Sequence, residues 1–267
     1  MRFSGRVALV TGGGQGLGRA VALALASDGS SVAVLDIDGD TAQETKAMIE
    51  QDGGRAMPLQ ADVSNRGEAH GAVQHCLETL GAIDILVNNA GIGRLTPFLE
   101  TTDDEWRELF EVNLLGSFIM AQEVGQHMAD RRSGRIVNVA SICAHWANST
   151  AVAYSASKAG VLALTRGIAM ELGPLGITCN AVSPGPMETE MLRTLLSEEE
   201  QRKRFERSPL RRFGTVAEVA SAIAFLASPD SGYINGAVLN IDGGLLIAGM
   251  PDGQPLVKPV IQPLTAR

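Results

Sequence analysis

Cysteine is scarce in this chain of 267 residues: Cys76, Cys143 and Cys179 are the only three, and no two form a CxxC pair. An odd, scattered set argues against a disulfide framework or a zinc knuckle and suits a reducing, cytoplasmic setting. His70, His75 and His127 fall on expected helices without ligand spacing, so no metal is expected. Lys and Arg number 22 against 30 Asp and Glu, a net charge of −8. That balance disfavours nucleic acid and anionic membrane surfaces as partners. No window approaches ~18 uncharged apolar residues, so no membrane span is expected. The opening MRFSGRVALV lacks an apolar run ending in a small-residue cleavage site, so no signal peptide is expected. No proline-rich or charged linker divides the chain before about residue 245.

What is present is a globular composition, 45% hydrophobic and 19% charged. Short apolar runs at 6–10, 31–36, 56–62, 83–90, 134–141, 176–184 and 237–242 read as strands. Most are apolar throughout, as strands covered on both faces are. Helical patterns fill 16–28, 39–52, 65–80, 103–130, 151–173 and 215–227. Thr102 with Glu105, and Ser197 with Glu200, have capping-box spacing. This alternation predicts one α/β domain over 1–244, a doubly wound parallel sheet of about seven strands with helices on both faces. Residues 245–267 carry Pro251, Pro255, Pro259 and Pro263 among apolar side chains. They read as an extended arm that crosses to a neighbouring subunit rather than as a helix.

The stretch TGGGQGLG, residues 11–18, is where side chains are fewest. Gly13 and Gly18 have Walker spacing, but Arg19 and Ala20 stand where lysine and a magnesium ligand belong. The GxGxxG spacing is absent too, and TGxxxGxG fits. A turn this bare between strand and helix lets the backbone approach a pyrophosphate, with N–H groups of the helix start facing the anion. On the glycines alone, an ordinary strand-to-helix turn fits equally well. Asp36 ends the second strand, 18 residues after Gly18, where a carboxylate accepts hydrogen bonds from an adenosine ribose. Its charge would repel a 2′-phosphate. Gln15 in the loop and Ile37 after Asp36 offer no cation, so NAD is expected over NADP.

From these residues the chain resembles the short-chain dehydrogenase/reductase family, of the single-domain type with a Rossmann-like fold. The likeness spans about 5–244 and rests on seven motifs in family order: TGGGQGLG (11–18), DV (62–63), NNAG (88–91), NLLGSF (113–118), NVAS (138–141), YSASK (154–158) and PGPMET (184–189). The resemblance implies a catalytic tetrad of Asn113, Ser141, Tyr154 and Lys158. Tyr154 and Lys158, four residues apart, share a helix face. A lysine ammonium beside a phenol is expected to lower its pKa, so that Tyr154 exchanges a proton with a substrate oxygen. Ser141, thirteen residues upstream of Tyr154, would fix that oxygen. By the resemblance, Lys158 also binds the nicotinamide ribose, and the Asn113 backbone holds a water. The implied cofactor set is Gly12, Gln15, Gly16, Leu17, Gly18, Asp36, Ile37, Asp62, Val63, Asn89, Ala90, Gly91, Tyr154, Lys158, Pro184, Gly185 and Thr189. Asn88 is expected beside Ala90 and Gly91, lining the adenosine side and holding the fourth strand.

The substrate side is thinner. Residues 92–98, 142–150 and 186 to about 207 should line it, the last as a lid. The charge of SEEEQRKRFERS reads as a solvated helix face. Cys143, His145 and Trp146 are the candidate substrate contacts; the alternative puts His145 in solvent and Trp146 under the lid. Related enzymes are commonly tetramers, so a homotetramer is expected. The reading is an NAD-dependent oxidoreductase of a secondary alcohol or its ketone, of cyclic, polyol or sugar type. The alternative is an NADPH-dependent 3-oxoacyl-[acyl-carrier-protein] reductase. A nucleotide-sensing binding protein would usually lack Tyr154 or Lys158. An epimerase would normally show TGxxGxxG.

Overall fold

A computed structural model describes residues 1–146, 150–188 and 197–248. The strands are β1 (Val7–Thr11), β2 (Ser31–Asp36), β3 (Arg55–Gln60), β4 (Ile85–Asn88), β5 (Gly134–Val139), β6 (Ile177–Pro184) and β7 (Val238–Ile241). Among the described residues the helices are α1 (Gly16–Ser27), α2 (Gly39–Gln51), α3 (Arg66–Leu80), α4 (Asp103–Phe110), α5 (Gly116–Arg131), α6 (Val152–Leu172), α7 (Glu198–Arg207) and α8 (Val216–Ala227). All strand pairs are parallel, in the order β3-β2-β1-β4-β5-β6-β7. The order reverses beside β1, and the crevice between β1 and β4 at their carboxyl ends is where such sheets bind ligands.

Alternation along each strand feeds two cores. Ala8, Val10, Val32 and Val34 meet Val21, Leu25 and Ile223 of α1 and α8. Leu9, Leu35 and Leu86 meet Val73, Met120 and Val124 of α3 and α5. Each fully buried side chain of this size contributes about 1.5–3 kcal/mol, so the layers lock the strand ends in place. Pro58 sits inside β3, which pairs only with β2 and can spare an N–H at the sheet edge.

The expected helix at 103–130 is three pieces: α4, a π turn over Glu111–Leu115, and α5. A periodic apolar face gives no warning of one inserted residue, and π turns recur at functional sites. Thr102 caps the Glu105 N–H, but the Glu105 carboxylate accepts from Thr96, so only half of that capping box forms. The Ser197–Glu200 box forms completely, as does one at Thr215 and Glu218. The proposed arm begins in a turn: Leu245 is buried, and the Asp242 carboxylate accepts from the Gly244 and Leu246 N–H groups. The rest of the arm, 249–267, lies outside the described residues, as does Thr189.

Candidate active site

The glycine loop folds against the ends of β2 and β4. Gly12 has φ +61°, and a Cβ there would lie 2.9 Å from the Ala90 Cα. A Cβ on Gly14 would lie 2.8 Å from an Asp36 carboxylate oxygen. Gly18 packs on the Gly12 carbonyl with no space for a side chain. Gly16, at φ +52°, faces open space. Gln15 caps α1 with its backbone alone, and no side chain accepts from the helix's first N–H groups. Leu17 turns inward and is buried. A bare helix start beside a tight glycine turn suits a pyrophosphate.

Asp36 is buried, and its carboxylate accepts from the Gly14 N–H at 2.8 Å and the Asp38 N–H at 3.2 Å. Two acceptor sites of a carboxylate remain for a ribose. Ile37 beside it is 66% exposed, an apolar side chain at the rim with no core to enter. The residues present therefore fit an adenine nucleotide. Across the crevice, Thr11 Oγ1 accepts from the Asn89 and Ala90 N–H groups, and Asn89 Nδ2 donates to the Thr11 and Gly12 carbonyls. Thr11 thus welds β1 to the NNAG turn, a role the motif count did not reveal.

Asp62 is engaged locally, accepting from the Ser64 N–H and hydroxyl. Val63 is buried against Gly116. Asn88 turns into the interior, donating to the Ser117 carbonyl and to Asn138, so it braces β4 from below and does not line the crevice. Asn89, the residue after β4, goes the other way, to the Thr11 and Gly12 carbonyls. Pro184 ends β6, and Gly185 pairs with Ile241 where a Cβ would meet the Asp242 Cα at 2.8 Å.

Asn113, Ser141, Tyr154 and Lys158 converge at the same strand ends. The Asn113 amide is fully occupied: it accepts from the Ile92 N–H, and donates to the Ile92 carbonyl and to Ser157. The π turn carries its carbonyl, which accepts from the Ser117 hydroxyl. Gly91 allows the close approach, since a Cβ there would lie 2.9 Å from Asn113 Oδ1 and 3.1 Å from Lys158 Nζ. Tyr154 lies beside Ser141, whose hydroxyl acts to lower the phenol's pKa. Lys158 is buried, donates to the Val139 carbonyl at 3.0 Å, and lies 6.0 Å from the Tyr154 ring centroid.

The expected lowering of the phenol by the lysine is corrected here. Burial, with the Cys143 thiol adding to it, pushes the Tyr154 phenol up, and the Ser141 hydroxyl pulls back only part of that. Burial also pushes the Lys158 ammonium down to about 8. Removing both groups from water outweighs an attraction acting from beyond the ring.

Cys143 lies beside this cluster, with its N–H donating to Ser141 Oγ. Burial raises its thiol, which leaves it inert rather than nucleophilic. His145 turns away, its Nε2 within 2.9 Å of the Ser183 hydroxyl. Burial lowers its pKa, with Arg166 adding to that. Trp146 lies under α7, with the Arg207 guanidinium 5.0 Å above its ring. It approaches the Cys143 thiol closely enough to lower that group's pKa, yet its indole N–H meets no acceptor at bonding geometry.

The family model described as enoyl-(acyl carrier protein) reductase matches residues 12–246. The chain belongs to the short-chain dehydrogenase/reductase family. It is an NAD(P)-dependent oxidoreductase acting on CH–OH groups. The chain is 35% identical to 5-keto-D-gluconate 5-reductase of Escherichia coli over 92% of its length and 97% of the relative's. It is 39% identical to a 3-oxoacyl-[acyl-carrier-protein] reductase of Synechocystis, covering 92% of this chain and 98% of the relative. A gluconate 5-dehydrogenase from Burkholderia cenocepacia, solved with NADP and tartrate, superposes with a TM-score of 0.90 at 37% identity, over 93% of this chain and 98% of that one. In this dehydrogenase/reductase the described residues contain no group of His, Cys, Asp and Glu able to hold a metal, and no helix long and apolar enough to cross a membrane.

Proposed function

We propose that this short-chain dehydrogenase/reductase transfers a hydride between a small secondary alcohol, of cyclic, polyol or sugar type, and NAD. The carrying observation is the gathering of Tyr154 beside Ser141, with buried Lys158 6.0 Å from the Tyr154 ring centroid. Bound nicotinamide supplies the hydride acceptor or donor. Tyr154 carries the proton: the protonated phenol donates to a ketone oxygen, and oxidation of an alcohol runs the step in reverse, so the phenol must first release its own proton before it accepts the alcohol's. Ser141 holds the same oxygen in line. Lys158 and Asn113 position the nicotinamide ribose and a route for protons.

NAD is favoured by Asp36, whose carboxylate is fixed by the Gly14 and Asp38 N–H groups where a 2′-phosphate would stand. A gluconate dehydrogenase so similar in structure holds NADP, so the preference rests on this chain's own Asp36. The second reading, an NADPH-dependent 3-oxoacyl-[acyl-carrier-protein] reductase, draws on the 39% identity to such an enzyme. The charge of Asp36 opposes it.

Copies of the chain are proposed to associate as a tetramer in the cytoplasm. Two separate apolar surfaces support this: Trp106, Leu115, Phe118 and Met170 on α4–α6, and Phe225, Tyr233 and Leu239 near β7. The proposed arm at 249–267 would contact a neighbour.

Tyr154→Phe tests the chemistry. Turnover with NAD and a polyol panel should fall by about 10²–10⁴-fold, while NADH affinity stays unchanged. Turnover near that of the wild type would remove Tyr154 from the reaction.

A further inference from the structure

Two parts of the site meet on the turn that follows β7. Asp242 folds that turn: its carboxylate accepts from the Gly244 N–H at 2.9 Å and from the Leu246 N–H at 2.8 Å. Gly243 and Gly244 have φ of +63° and +85°, a region that glycine enters without strain. One side of the turn packs on the cofactor edge. The Gly185 N–H donates to the Ile241 carbonyl, and a Cβ on Gly185 would lie 2.8 Å from the Asp242 Cα. The other side seats the chain leaving α7. The Gly243 carbonyl accepts from the Leu210 N–H at 3.3 Å and from the buried Ser208 hydroxyl at 3.4 Å. A Cβ on Gly244 would lie 3.0 Å from Pro209. A second anchor follows: the Gly214 N–H donates to the Pro186 carbonyl, and its own carbonyl accepts from the Glu188 N–H. Ser208 directly follows Arg207, whose guanidinium stands 5.0 Å from the Trp146 ring centroid. Trp146 comes just after the short turn Ile142–Ala144, which Ser141 caps.

We propose that Asp242 is a positioning residue: by folding the turn after β7 it seats the end of α7, and so sets how that helix covers Trp146 and the loop beyond Ser141. It acts through Ser208 and α7, not on the reacting atoms. A carboxylate suits the task because its two oxygens accept both N–H groups at once, where an amide offers one oxygen. Without either, two adjacent glycines regain more backbone freedom than any other pair, and the seat opens. The inference goes beyond the dehydrogenase reading, and its main readout needs no substrate.

The test uses the full-length protein in a Trp106→Phe background. Trp106 and Trp146 are the only tryptophans, and phenylalanine keeps a ring against Phe110. Acrylamide quenching then reports on Trp146 alone, with far-UV circular dichroism and NADH titration run beside it. Asp242→Ala should raise the quenching constant by about twofold or more, at unchanged dichroism and NADH affinity, as a local opening does. Asp242→Asn should fall between it and the parent. Ser208→Ala, from the opposite side of the seat, should move quenching the same way. In assays with the polyol panel, Asp242→Ala should raise KM and leave kcat within about twofold, because Tyr154 and Lys158 ride on α6. Quenching of Asp242→Ala equal to that of the parent would overturn the inference, as would a fall in kcat at unchanged KM. If Asp242→Ala does not fold, unchanged quenching in both Asp242→Asn and Ser208→Ala would overturn it. Failure of the parent to bind NADH would instead break the dehydrogenase reading and leave the quenching result standing.

Discussion

At the cofactor edge, glycine backbone packs closely on its neighbours with no room for a side chain. Gly12 touches Ala90, Gly14 touches Asp36 and Thr41, and the polar groups of Thr11 and Asn89 are matched. At the substrate side, long side chains meet instead, and the matching is incomplete: Arg204 Nη1 and Trp146 Nε1 have no partner. The first region is a mould for a ligand common to many enzymes. The second leaves polar groups to be matched by the ligand that distinguishes this one. Lys158 sits at their junction and belongs to both.

Substitution at that junction should have the largest effect on the comparison. Lys158 titrates at about 8 in the folded chain against an ordinary 10.5. Below pH 8 the lysine is charged in both folded and unfolded chains, and the burial penalty is full. Between pH 8 and 10.5 the folded chain holds fewer protons than the unfolded one, so stability from this group rises with pH. Lys158→Met should therefore be the more stable protein at pH 7, by on the order of 3 kcal/mol. Its advantage should vanish by about pH 10.5, although turnover is lost. Denaturant melts of both proteins across that range check this, and a difference that does not change with pH would show that burial is not what depresses the lysine.

Gly18→Ala comes next. The new Cβ meets the Gly12 carbonyl, which cannot swing aside as a side chain could. Stability should fall by about 1–3 kcal/mol, with loss of NADH binding. Trp146→Ala, on the substrate side, should cost about 1 kcal/mol, because a half-buried ring under Arg207 gives up little packing and one cation–π contact. Its effect should appear in substrate KM rather than in NADH affinity. A Trp146→Ala enzyme that loses NADH affinity as Gly18→Ala does would erase the distinction between the two regions.

The same distinction decides what was legible in the sequence. Strand composition, the spacing from Gly18 to Asp36 and the run from Ser141 to Lys158 are local or ordered along the chain, and they predict the sheet and the sharing of a helix face by Tyr154 and Lys158, while the tetrad, Asn113 above all, comes from the family resemblance. The π turn at Glu111–Leu115 was hidden because one extra residue in a helical turn barely disturbs a 3.6-residue pattern. The reversal at Tyr154 was hidden because spacing reports proximity to Lys158 and is silent on how much water burial removes from both. Asn88 and Asn89 look alike in the motif, but Asn88 ends β4 and turns inward while Asn89 follows the strand and meets Thr11. Arg204 and Arg207 read as solvated because eight of the ten positions of that helix are charged. What separates Arg204 from its neighbours is the loop carrying Cys143 and Trp146, about sixty residues earlier in the chain.

The most direct measurement is a titration of the wild type and of Asp36→Ala with NADH and with NADPH. A carboxylate buried at the end of β2 should make the wild type bind NADH at least about tenfold more tightly than NADPH. Removing it should close that gap mainly by improving NADPH binding. Tighter binding of NADPH by the wild type would contradict the account and bring the acyl-carrier-protein reductase reading to the front.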